Sequence, residues 1–104
     1  MTDYSIIIGT LAEQDLLEIV SYIQEILFQP ESAKRIYRAI KEQINSLSTM
    51  PQRYAVIVEE PYTSIGVRKV KVENYLIFYT VNEKDTTVSI LRILYNRREW
   101  HNLI

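Results

Sequence analysis

The stretch Tyr75-Leu76-Ile77-Phe78-Tyr79-Thr80-Val81 is apolar and aromatic at nearly every position. A strand with one face in water alternates apolar and polar residues, so an unbroken run of this kind predicts a central strand covered on both faces. The segment before it has a period of two. Val70 and Val72 share a face with Arg68, while Lys69 and Lys71 point the other way. Glu73-Asn74 between the two runs is read as a hairpin turn, because asparagine tolerates positive φ. After Asn82-Glu83-Lys84-Asp85, a second turn, residues 87–95 form a last strand. Simple alternation places Leu91, Ile93 and Tyr95 on one of its faces and Ile90, Arg92 and Leu94 on the other. Residues 96–104 are too short to assign to helix or tail.

Upstream the period changes to that of a helix. Residues 3–8 are β-branched and apolar and read as a short first strand that Gly9 ends. Thr10-Leu11-Ala12-Glu13 has the form of a capping box, so a helix is expected to start there. Ala12, Leu16, Ile19, Val20, Ile23 and Ile26 or Leu27 then recur at spacings of three and four, with Glu13, Asp15, Glu18, Gln24 and Glu25 on the opposite side. Pro30 predicts the end of this helix near Phe28 and suits the first turn of the next. The second helix carries Ala33, Ile36, Tyr37, Ile40, Ile44 and Leu47 on one stripe. Ser48-Thr49-Met50-Pro51 closes it, and the aperiodic stretch to Pro61 reads as a loop with an extended piece at residues 55–58. The expected fold is α+β in the order β-α-α-β-β-β, a helical hairpin packed on an antiparallel sheet, and residues 1–104 form a single domain.

Composition excludes several classes. The chain has 104 residues, 47% hydrophobic and 24% charged, with no cysteine. A thiolate metal site, a cysteine nucleophile and a disulfide framework are thereby ruled out, and a domain of this size is expected to offer an open groove rather than an enclosed cavity. The first residues lack the basic stretch and apolar core of a signal peptide, and no run approaches the ~20 apolar residues that cross a bilayer. The expected location is the cytoplasm. The net charge of −1 conceals a gradient: residues 1–63 carry nine acids and five bases, residues 64–104 four acids and seven bases. An anionic partner would meet the second half.

Five stretches taken in order resemble the RelE/ParE superfamily of bacterial toxins over nearly the whole chain. They are the first helix from Ala12 to Ile23; Pro30-Glu31-Ser32-Ala33 with the second helix to Pro51; Gly66-Val67-Arg68; Val72 to Val81; and Ile90 to Trp100 with its Asn96-Arg97-Arg98-Glu99. The resemblance implies a type II toxin that arrests growth, uses no cofactor, and is held inactive by a cognate antitoxin docking an amphipathic segment on the apolar surface of hairpin and sheet. Its two branches differ in target. RelE-like members cut messenger RNA on the ribosome without a metal; ParE-like members block DNA gyrase and are not hydrolases.

Metal-free RNA cleavage needs a base for the 2′-hydroxyl, cations for the phosphate and an acid for the leaving oxygen. By resemblance the candidates are Lys69, Lys71 and Arg98, with His101 as an acid or base at a shifted position. Against this, Leu76 stands where the family's central-strand arginine belongs, and the terminal tyrosine is missing. Target contact by Arg68, Arg92, Tyr95, Arg97, Arg98 and Trp100 fits the arginine and aromatic chemistry of protein hot spots. Arg68 and Arg92 share strand faces with aliphatic residues, so each also has a structural reading, an ion pair with a helix acid such as Glu18 or a guanidinium at the sheet edge. Seven bases are few for entering a phosphate lattice. The balance favours gyrase over the ribosome, with a degenerate, inactive toxin as a third possibility.

Overall fold

The computed structural model describes residues 3–101 and 103–104. Met1, Thr2 and Asn102, which belong to the terminal stretches read above, lie outside the described residues. Strand β1 (Ser5–Ile8) leads into helix α1 (Thr10–Ser21), whose last turn widens to π geometry over Tyr22–Ile26. Helix α2 (Pro30–Ser46) returns, with Pro30 in its first turn as expected. A 3-10 turn (Pro51–Arg53) and a single helical turn, α3 (Tyr62–Ile65), precede β2 (Arg68–Val72), β3 (Tyr75–Asn82) and β4 (Thr87–Tyr95). α3 is too short to leave a period in the sequence. The extended piece in the loop exists as one antiparallel bridge, Val56 to Arg68, with the Ile57 N–H donating to the Val67 carbonyl at 2.8 Å.

The sheet order is β1-β4-β3-β2. β2, β3 and β4 form the expected antiparallel meander, but β1 pairs parallel to β4, with Ser5 opposite Thr87 and Ile8 opposite Ile90. The sheet is therefore mixed, because the chain must cross the hairpin before returning beside β1. Gly9 ends β1 where its N–H donates to the Ile90 carbonyl at 3.0 Å. A Cβ there would stand 3.0 Å from the same oxygen, so glycine lets the two strands approach without displacing that carbonyl. Gly9 is also the N-cap of α1, and Thr10 makes no side-chain cap; the expected capping box gives way because the strand's turn places the helix start one residue earlier.

β3 is central and covered on both faces. Toward the hairpin, Ile77 and Tyr79 join Ala12, Leu16, Ile23, Ala33, Ile36, Ile40, Ile44 and Leu47 in the main core. On the other face, Phe78 joins Ile57, Tyr62, Val67, Leu94 and Trp100 in a second core under the 54–67 segment and the C-terminal tail. Tyr37, Ile26 and Leu27 of the expected helical stripes remain exposed. Positive φ in the β2–β3 turn falls on Glu73 (53°) rather than on Asn74.

A bulge corrects the reading of β4. Phe78 pairs with Arg92 and Tyr79 with Ile90, leaving Leu91 as an extra residue. Ile90 and Ile93 therefore share the hairpin face, and Leu91 and Leu94 the other. One inserted residue reverses the alternation beyond it.

Candidate functional site

The candidate cations fall into two groups. Arg68 and Arg92 are held inside the fold. Arg68 lies on the hairpin face of β2 and donates from one guanidinium nitrogen to the carbonyls of Gln52 at 3.0 Å and Tyr54 at 2.5 Å, beside the buried Tyr79 hydroxyl, which donates to Pro51 at 2.7 Å. Burial pushes the Tyr79 phenol up to about 12, so it remains a donor. Arg92 is rooted opposite Phe78, at the edge of β4 that β1 leaves uncovered after Ile90. Its Nε and one terminal nitrogen contact the two oxygens of Asp15 at 2.7 and 2.9 Å, and the other donates to the Leu103 carbonyl at 2.7 Å. Asp15 also accepts the Ile93 N–H at 3.0 Å, where a neighbouring strand's carbonyl would have been. The Arg92 partner is thus Asp15, expected on the polar side of α1, and not Glu18. Asp15 is 7% exposed, and its hydrogen bonds hold the guanidinium more firmly charged.

Lys69, Lys71, Arg97 and Arg98 are exposed. The lysines lie on the face opposite the hairpin, Lys69 across from Phe78 and Lys71 across from Leu76. Lys69 Nζ sits 5.2 Å from the centre of the Trp100 ring. Trp100 is not a surface residue: at 9% exposed it packs on Phe78 and Tyr62, with ring centres 5.1 and 5.5 Å away. Leu76, Leu91, Leu103 and Ile104 pack around the same cluster, so this sheet face is covered by apolar side chains. His101 stacks on Trp100 at 4.1 Å and stands between two carboxylates, Glu59 at 2.8 Å and Glu99 in direct contact. The hydrogen bond to Glu99, with Glu59 adding, pushes His101 above the ordinary 6.5, and the same bond holds Glu99 below its ordinary 4.5.

Tyr95 is 42% exposed, edge-on to Tyr75 at 5.7 Å. It forms, with Arg98, one wall of an open groove of about 760 Å³ whose other walls are Glu18, Ile19 and Tyr22 of α1 and Leu27 at the hairpin tip. Sequence reasoning missed Asp15, the one buried charged residue among those described, and the groove residues Tyr22 and Leu27. The unusual signal was Asp15 lying next to the apolar stripe at Leu16. Among the described residues no group of His, Cys, Asp and Glu could hold a metal ion, and no helix is long and apolar enough to cross a membrane.

The division between held and free arginines is testable. Arg68→Met removes the donor to two carbonyls and is expected to cost about 1–2 kcal/mol in denaturant unfolding, whereas Arg97→Ala and Arg98→Ala should each stay within about 0.5 kcal/mol of the parent. Equal effects at all three positions would contradict the assignment.

No curated protein matches the sequence. Solved structures that share the fold include three from toxin–antitoxin systems. In the chromosomal ParDE toxin–antitoxin system of Pseudomonas aeruginosa, a chain 26% identical superposes with a TM-score of 0.73 over 91% of this chain and 98% of that one. In the RelBE2 toxin–antitoxin complex of Mycobacterium tuberculosis the values are 25%, 0.67, 89% and 98%. A chain of the archaeal RelE–RelB complex from Pyrococcus horikoshii, 24% identical, matches at 0.63 over 95% of this chain and all of that one, a likeness of fold. The family model described as the ParE toxin of the type II toxin–antitoxin system, parDE, matches residues 6–100. With that match over nearly its whole length, the chain belongs to the ParE toxin family of type II toxin–antitoxin systems.

Proposed function

We propose that this toxin arrests growth by binding DNA gyrase in the cytoplasm, and that a cognate antitoxin holds it inactive. The observation that carries this reading is the sheet face that an endoribonuclease would need open. Leu76 stands across from Lys71 where a phosphate-binding arginine would help, Trp100 is buried, and His101 is engaged by two carboxylates. Protein contact requires only an exposed surface, and Tyr95, Arg97 and Arg98 supply one next to the open groove. That groove, with Ile19, Tyr22 and Leu27 on its walls, is where we place an apolar segment of the antitoxin. One observation favours metal-free messenger RNA cleavage instead: Lys69 and His101 flank the same indole, with Lys71 on the same face.

The test is induced expression of the toxin alone with DNA and protein synthesis pulse-labelled separately. DNA synthesis is expected to fall first, and purified toxin to inhibit supercoiling by gyrase. Protein synthesis falling first would overturn this in favour of the endoribonuclease of Lys69, Lys71, Arg98 and His101. Normal growth would identify an inactive toxin that only binds antitoxin.

A further inference from the structure

The C-terminal tail crosses the second face of the sheet and is held at points that differ in chemistry. Trp100 fills an apolar slot between Phe78 and Tyr62. Arg92 donates to the Leu103 carbonyl at 2.7 Å, and the Tyr62 hydroxyl donates to the His101 carbonyl. None of these attachments uses the imidazole of His101. The His101 ring is different. It reaches Glu59 of the 54–67 segment at 2.8 Å and Glu99 of the tail itself, so its tie to Glu59 is the attachment whose strength depends on the charge of an imidazole.

We infer that the tail is a strap over the sheet face and that His101 is its protonation-dependent latch, closed when the ring is charged and loosened when it is neutral. Four groups face the ring from the elements packed around it. Glu59 from the loop and Glu99 from the tail favour the charged ring. The Tyr62 ring of α3 lies 6.4 Å away, and Lys69 of β2 lies over the indole on which the histidine stacks. Two carboxylates against one ammonium leave the site negative when the ring is neutral, so loss of its proton removes an attraction and leaves Glu59 and Glu99 repelling each other.

The sign follows from linkage. His101 is raised above 6.5 in the folded protein, so its contribution is complete below 6.5 and is lost as pH rises through the raised folded value. Glu99 is lowered, so its own contribution is lost only as pH falls below 4.5. The strap is therefore closed most firmly between these limits and loosens on the alkaline side. With Trp100 and the Leu103 and His101 carbonyls still held, loosening frees the imidazole end of the tail from the 54–67 segment and raises solvent access at the edge of the second core beside Lys69. This device is independent of which target the toxin meets.

The chain has one tryptophan, so its fluorescence reports the strap alone. Emission and acrylamide quenching of the full-length protein would be followed from about pH 5 to about pH 9. In the parent, the emission peak should move to longer wavelength and the quenching constant rise about two-fold, with a midpoint above that of free histidine. His101→Gln should show the open values throughout with no step, and Glu59→Gln should move the midpoint down. A flat peak and flat quenching constant in the parent would overturn the latch. So would a change of intensity alone, which would mean that the charged ring quenches an indole that stays buried. A step that persists in His101→Gln would also overturn it.

Discussion

Asp15→Ala is expected to destabilise the protein by about 3 kcal/mol, the low end of what breaking a buried ion pair costs. For a domain of this size that lowers Tm by about 15 °C. The carboxylate is 7% exposed and accepts from Arg92 twice and from the Ile93 N–H once. Its removal leaves an Arg92 side chain that is 13% exposed with, among the described residues, only the Leu103 carbonyl, and a strand N–H that α1 shields from water. Desolvation of an unpaired charge dominates the cost, so adding Arg92→Met to Asp15→Ala should recover much of the loss. Asp15→Asn, which keeps an acceptor, should fall between. A loss below about 1 kcal/mol for Asp15→Ala would place the pair with ordinary surface bridges, solvated at the strand edge.

That pair also marks where the sequence stops being legible. Periodicity gave the order of the main elements because each buries one face, and a face leaves a pattern: three and four for α1 and α2, two for β2, none for the doubly covered β3. Local exceptions leave no pattern. The extra residue Leu91 is chemically an ordinary strand leucine, yet it moves Ile90 to the face of Ile93. Asp15 lies at a boundary of the α1 stripe, and only the uncovered edge of β4 gives it a reason to be buried. Gly9 rather than Thr10 caps α1 because a strand carbonyl lies 3.0 Å away, a tertiary fact. The candidate site divided along the same line. Residue type indicated arginines and aromatics, but which of them face water depended on register. Arg68, Arg92 and Trp100 turned inward, and Tyr95, Arg97 and Arg98 stayed out.

Trp100→Ala tests that division most directly. The indole is 9% exposed and touches Phe78, Tyr62, His101 and Lys69 across the second core. Truncation should cost about 3 kcal/mol, the lower part of the range for deleting a buried aromatic, because the tail can part from the sheet and relieve the cavity. Loss should also be local. Amides of the 54–67 segment are expected to exchange much faster, while β3 amides paired with β4 keep their protection, since the main core of Ile40, Ile44, Ile77 and Ile93 is not touched. Trp100→Phe retains most of the packing and should cost about 1 kcal/mol. If Trp100 acts only through this core, growth arrest by the two variants should follow their stability, and Trp100→Phe should arrest nearly as well as the parent. A Trp100→Phe protein that is stable yet inert would mean that the tail opens at the target and that the indole itself makes the contact. The strap would then be part of recognition rather than a cover for the sheet.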